Sequence, residues 1–111
     1  MKTALELITE ERQRQIAKGY TASHDDDLIG GELAAGGGCF ALYAGWQSPG
    51  CDVEDLAKEK RSIAGSDWPF ERASFRPDEN PIANLAKAGA MIVAEIERLQ
   101  RQIAPNQPEG K

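Results

Sequence analysis

The sequence is poor in the residues that build metal centres and covalent cross-links. It holds two cysteines, Cys39 and Cys51, and one histidine, His24. Two cysteines are too few for a disulfide scaffold, and no CxxC pair occurs. A zinc site built on His and Cys would need both thiols, the single imidazole and a carboxylate. The plainer reading is two free thiols in a reducing compartment. Positive charge is also scarce, with 13 basic residues against 18 acidic ones and a net charge of −5. A protein that grips nucleic acid or an anionic membrane without regard to sequence needs the opposite balance. No apolar run approaches the ~20 residues of a membrane span. The opening Met1 to Glu6 lacks the apolar stretch of a signal peptide, so a cytoplasmic protein is expected. Internal repeats, low-complexity runs and convincing period-two alternation are absent too.

What remains is a chain of 111 residues, the size of one domain, patterned as helices between punctuated loops. The first helix is predicted over Thr3 to Lys18. Its stripe of Leu5, Ile8, Arg12 and Ile16 has an arginine where a hydrophobe is expected. Gly19 is suited to end it. A polar loop from Tyr20 to Asp27 follows, and a second helix is predicted from Leu28 to Trp46. Asp25 to Asp27 would cap that helix, and Gly30, Gly31, Gly36, Gly37, Gly38 and Gly45 load it with glycine. The plainer account of those glycines is close helix packing; the sharper one is a ligand approaching the backbone. Gln47 to Gly50 reads as a turn. A third helix is predicted from Asp52, its N-cap, to Ala64, with Gly65 as the residue that stops it.

Ser66 to Glu79 reads as a loop rich in aromatics: Trp68, Phe70 and Phe75. It is expected to fold back as a lid and to form a ligand wall. The last helix is capped by Asn80, has Pro81 in its first turn and runs to Ala104. Ile82, Leu85, Gly89, Ile92, Ile96, Leu99 and Ile103 recur in steps of three and four, an a/d heptad seam. Ala86, Gly89, Ala90 and Val93 form a small-residue patch, for which the glycine-rich helix is the expected partner. The whole predicts an all-α, compact bundle of three to four helices with a long C-terminal helix. Residues 1–104 would be the helical domain and 105–111 a polar tail. The seam exceeds what three short helices can cover, so a homo-oligomer is expected, most simply a dimer.

Three groups of residues could carry chemistry. His24, Asp25 and Asp26, with Asp27 and Glu32, gather carboxylates and an imidazole at a helix start. They read either as a solvated cap or as groups that hold a divalent cation or a ligand's hydroxyls. On the first helix, Glu11 and Gln15 share a face, and Arg12 either snorkels or reaches a buried carboxylate or a phosphate. Lys87 is the one charge between Ile82 and Ala94, and points either to solvent or to an anionic group.

Several blocks carry a resemblance when taken in order. They are Glu11-Arg12-Gln13-Arg14-Gln15, Gly19-Tyr20-Thr21, His24-Asp25-Asp26, Gly31-Glu32-Leu33-Ala34, Trp68-Pro69-Phe70 and the stretch from Lys87 to Leu99. As a set they resemble a family of short proteins carried by bacteriophages and prophages, whose function is not settled. The resemblance implies a phage accessory protein acting in the host cytoplasm. Family members tend to carry alanines where this chain has Gly36 to Gly38. A more distant likeness is to all-α nucleotide pyrophosphohydrolases of the MazG type. Those hold Mg²⁺ through paired carboxylates three residues apart on two helices. This chain has no Glu-x-x-Glu, and its i, i+3 pair, Asp52 and Asp55, reads as capping.

Three function classes follow. The first, preferred, is a non-catalytic phage accessory protein of anti-defence type that binds a small nucleotide-type ligand or a host defence component. Arg12, Arg72 and Lys87 would meet phosphate, Trp68 or Phe70 would stack on a base, and His24, Asp25 and Asp26 would take hydroxyls or base edges. It needs no cofactor. The second is a Mg²⁺-dependent nucleotide pyrophosphohydrolase with Glu11, Asp25, Asp26 and Glu32 as metal ligands. The third is an acidic inhibitor that blocks a basic site on a host protein. Under the first, the His24 loop and the Trp68 loop should wall one pocket beside Arg12.

Overall fold

The computed structural model describes residues 1–47 and 51–103. The described residues form five α-helices and one 3₁₀ turn: α1 Ala4–Ala17, α2 Ala22–Asp25, α3 Glu32–Trp46, α4 Val53–Ser66, the 3₁₀ turn Arg72–Ser74, and α5 Pro81–Ile103. The all-α reading holds, with the long C-terminal helix in place. The polar tail and the end of the last helix at Ala104 lie outside the described residues, as does most of the expected turn at 47–50.

Local chemistry accounts for the element ends. Thr3 caps α1 in a capping box: its side chain accepts from the Glu6 N–H while Glu6 accepts from the Thr3 N–H. That bonding holds the Glu6 carboxyl below its ordinary range. Gly19, at φ 108°, turns the chain out of α1 as expected. Asp52 caps α4, accepting from the Asp55 N–H at 2.8 Å. Asn80 caps α5, accepting from the Ile82 N–H at 2.9 Å.

Three expectations need correction. The loop from Tyr20 to Asp27 contains a single helical turn, α2, capped by Thr21. The glycine-rich helix begins at Glu32 rather than Leu28. Its N-cap is Gly31, at φ 85° in the left-handed region, so Asp25 to Asp27 do not cap it. Gly65 does not stop the third helix, which continues to Ser66 with Asp67 as its C-cap.

The core sits where α3, α4, α5 and the Trp68 segment meet. Cys39, Phe40, Ile63, Phe75 and Ala88 form its buried centre, with Tyr43, Trp68 and Met91 packed around it. Burial raises the Cys39 thiol pKa above its ordinary value, as expected of a free cysteine in apolar surroundings. α3 and α5 cross closely at Gly37, where a Cβ would lie 3.1 Å from the Ala88 carbonyl oxygen. Gly89 also marks a close crossing, but with α1: a Cβ there would come 2.7 Å from Ile8 Cδ1. The small-residue patch on α5 therefore receives the first helix rather than the glycine-rich one. Asn84, fully buried, ties the start of α5 to its surroundings. Its Nδ2 donates to Gln47 Oε1 and the Asp78 carbonyl, and its Oδ1 accepts from the Asp78 N–H.

Candidate functional site: a pocket between α1, α2 and α5

A pocket of about 420 Å³ opens where α1, α2, α3, α5 and the Trp68 segment converge. Arg12 is a buried charged residue of its lining. The residue is only 9% exposed because α1 packs along α5 and turns this position inward. Its Nη2 donates to Asp25 Oδ2 at 3.1 Å and to Glu97 Oε1 at 3.4 Å, and its Nη1 donates to the Tyr20 carbonyl at 3.3 Å. Of the two readings of Arg12, the structure has it reaching a buried carboxylate. One donor is left over: Arg12 Nε is buried and has no hydrogen-bond partner. A buried N–H of a charged group without an acceptor is costly.

Asp25 is 1% exposed. Thr21 starts the turn of α2 that carries Asp25 under His24, whose Nδ1 lies 3.1 Å from Asp25 Oδ1. With the carboxylate accepting, His24 Nδ1 is the donor and Nε2 is left as an acceptor when the ring is neutral. Tyr20 lies against the same imidazole, with ring centroids 5.1 Å apart. His24, Asp25, Arg12 and Glu97 thus form one hydrogen-bonded chain that is buried at Asp25 and Arg12 and reaches the surface at His24 and Glu97.

The opposite wall is aromatic. Trp68 meets Phe70 edge-on at 5.3 Å between centroids and lies 5.5 Å from Phe40 and 5.0 Å from Phe75. Its indole N–H donates to Ser74 Oγ and to the Glu71 carbonyl. Trp68 is therefore held as part of the core as well as facing the pocket. Lys87 lies between the two walls. It is half-buried, with Nζ 5.5 Å from the centre of the Phe40 ring. Among the described residues no carboxylate pairs with it.

Arg12, His24, Asp25, Trp68, Phe70, Lys87 and Glu11 all line this pocket; the other three candidates lie elsewhere. Asp26 faces α5, where its Oδ1 takes both Nε and Nη2 of Arg101 beside a second hollow of about 260 Å³. Glu32 turns back to accept from the Gly30 N–H at 2.6 Å. The guanidinium of Arg72 lies over Gly65 of α4. The metal set Glu11, Asp25, Asp26 and Glu32 is accordingly dispersed, with Glu11 held by Arg14. Among the described residues no group of three His, Cys, Asp or Glu side chains is placed to hold a metal ion.

The sequence reading passed over Lys18, Tyr20 and Ser74, which also line the pocket. Tyr20 and His24 are four residues apart across the Thr21 cap, and that spacing is the signal that could have paired them. The lining carries three cations, Arg12, Lys18 and Lys87, against two carboxylates, Glu11 and Asp25, a formal +1 in a chain of −5. Both carboxylates already have basic partners, so Lys18 and Lys87 supply the unmatched charge. No known protein family, curated protein or solved structure matches the chain.

Proposed function

We propose that this chain is a non-catalytic accessory protein of phage origin that holds a small nucleotide-type ligand in the pocket between α1, α2 and α5. The observation that carries the ligand reading is that Lys87, unpaired, lines the same pocket as the buried guanidinium of Arg12. A phosphate supplies the counter-charge that Lys87 lacks and oxygen acceptors beside the guanidinium. The facing Trp68 and Phe70 offer edges and faces against which a base can stack. His24 Nε2 and the Tyr20 ring are placed at the rim for base or sugar groups. The phage assignment rests on the ordered sequence blocks, most of which fall on the pocket's own elements.

The test is a thermal-shift and calorimetric screen of mono-, di- and cyclic nucleotides, with and without a chelator. A bound nucleotide should raise the melting temperature by an amount that grows with the logarithm of its concentration above the dissociation constant, and chelation should leave that shift intact. Lys87→Ala should weaken binding by about 10- to 100-fold, the value of a charge-assisted hydrogen bond, with little change in the free protein's stability. Failure of every nucleotide to bind would overturn the reading. Binding that vanishes with the chelator would overturn it in favour of the metal-dependent hydrolase.

A further inference from the structure

The charges that line the pocket are unevenly placed, and their placement limits how many phosphates a ligand can bring into it. α1 and α5 run in the same direction, because Ile8 lies against Gly89 and Arg12 reaches Glu97. Lys87 stands two residues before Gly89, and Lys18 ten residues past Ile8. At the rise of an α-helix their backbones are about 18 Å apart along the axes. The Phe40 ring, 5.5 Å away, keeps Lys87 Nζ at its own end. Lys18 at the other end is exposed, and a charge that stays in water contributes little to holding an anion. Lys87, half-buried and unpaired, is therefore the effective positive charge of the pocket.

Between the two lysines the balance is reversed. Arg12 is shared by Asp25 at 3.1 Å and Glu97 at 3.4 Å. One cation against two carboxylates leaves a formal −1 in this cluster. Glu11, the other acidic residue of the lining, is already paired with Arg14 at 2.7 Å.

The aromatic wall belongs to the Lys87 end. Phe40, against which Lys87 lies, meets Trp68 edge-on at 5.5 Å. Trp68 and Phe70 both approach Gly36, where a Cβ would lie 3.5 and 3.4 Å from them and would press on Met91, one turn after Lys87 on α5. The stacking surface and the unpaired cation are thus neighbours. A ligand that stacks on this wall brings its first phosphate to Lys87, with the Arg12 guanidinium on the far side. Each further phosphate has to run toward Asp25 and Glu97 or stand out in water. In the first case it meets like charge, and in the second it gains almost nothing. Resting on the nucleotide reading above, we infer that the pocket takes a nucleotide with a single phosphate group, open or cyclic, and gives no advantage to a diphosphate or triphosphate.

Calorimetric titration of the full chain tests this. The probes are the nucleoside and its monophosphate, cyclic monophosphate, diphosphate and triphosphate, for adenine, guanine, cytosine and uracil, without divalent metal. For the base that binds, the better of the two monophosphates should bind about 10- to 100-fold tighter than the nucleoside, the value of a charge-assisted hydrogen bond. The diphosphate and triphosphate should bind no tighter than that monophosphate. Lys87→Met keeps an apolar stem against Phe40 and removes the charge, and in it the nucleoside and monophosphate should bind almost equally. A diphosphate or triphosphate that binds tighter than the monophosphate overturns this inference and leaves the nucleotide reading standing. A monophosphate no better than the nucleoside, or an advantage that survives Lys87→Met, also overturns it, since Lys87 would then hold no phosphate. Binding by none of the probes overturns both.

Discussion

The two sides of the α3–α5 pair solve different problems. On the inner side lie a buried arginine, a buried aspartate, four aromatic rings and a lysine above one of them. On the outer side lie the exposed Ala34, Gly38 and Leu42 of α3 and Leu85, Ile92 and Ile96 of α5. The inner side is specified by pairing, because a charge taken out of water is tolerated only next to its partner. The outer side is specified by shape alone, and tolerates exchange of any residue that keeps its outline. Substitutions should therefore divide sharply between the two sides.

The largest effect should come from separating the buried pair. Asp25→Ala leaves the Arg12 guanidinium without its main acceptor, and such a loss typically costs about 3–5 kcal/mol. Urea unfolding should show it as a lower midpoint. Arg12→Met combined with Asp25→Leu should recover most of the loss, which would separate the cost of an orphaned charge from that of lost packing. Recovery no better than the single variant would mean that the pair contributes more than mutual neutralisation.

Next in size are the glycines at helix crossings. Gly89→Leu would force Ile8 aside and should cost about 1–3 kcal/mol or more. A thermal melt of that variant checks it, and an unchanged midpoint would place α1 away from α5. A smaller contrast lies within the run Gly36 to Gly38. Gly37→Ala pushes a methyl toward the Ala88 carbonyl oxygen and should destabilise. Gly38→Ala meets only open space within the chain, and in dilute solution should stabilise α3 by about 0.5–1 kcal/mol through helix propensity. Opposite signs at adjacent positions would locate the boundary between the two sides to one residue.

The smallest expected effect is a pH dependence at the start of α1. The Glu6 carboxyl is held below its ordinary value, first by the Thr3 N–H and then by the Thr3 side chain. A carboxyl depressed on folding binds fewer protons in the native state than in the unfolded one. Its contribution is therefore complete above the unfolded value near 4.5 and is lost as pH falls through the folded value. Melting temperatures of the parent and of Glu6→Gln, followed downward from neutral pH, should converge in that acidic window.

How much of this was legible beforehand depends on the kind of signal. α5 declared itself through Asn80, Pro81 and a long periodic row, and α1 through Gly19. α2 did not, because one turn of Ala-Ser-His-Asp carries no periodicity. The start of α3 was misplaced because acidic residues suggested a cap, while the left-handed Gly31 stands closer to the helix. Gly65 has the residue type of a helix stop but an ordinary helical backbone. At the site, residue type marked Arg12, His24, Asp25 and Lys87 as unusual, and an arginine in an apolar stripe was the clearest of these signs. Direction was not written there: Asp25 and Asp26 are adjacent in sequence, yet one turns under His24 and the other toward Arg101. The a/d row was visible, but which face of α5 the chain itself would cover depended on the small residues opposite.

The two left-handed glycines, Gly19 and Gly31, bracket a stretch of chain with a distinct attachment. Between them only Asp25 is buried and Leu28 partly so. Two arginines reach it from outside, Arg12 of α1 through Asp25 and Arg101 of α5 through Asp26. The stretch is moored by ionic contacts at two points rather than seated on an apolar bed. One mooring is shielded from salt by its burial, and the other, exposed to water, is not. Raising the ionic strength thus loosens this flap from its Asp26 edge first, while the Asp25 edge beneath His24 remains the pivot.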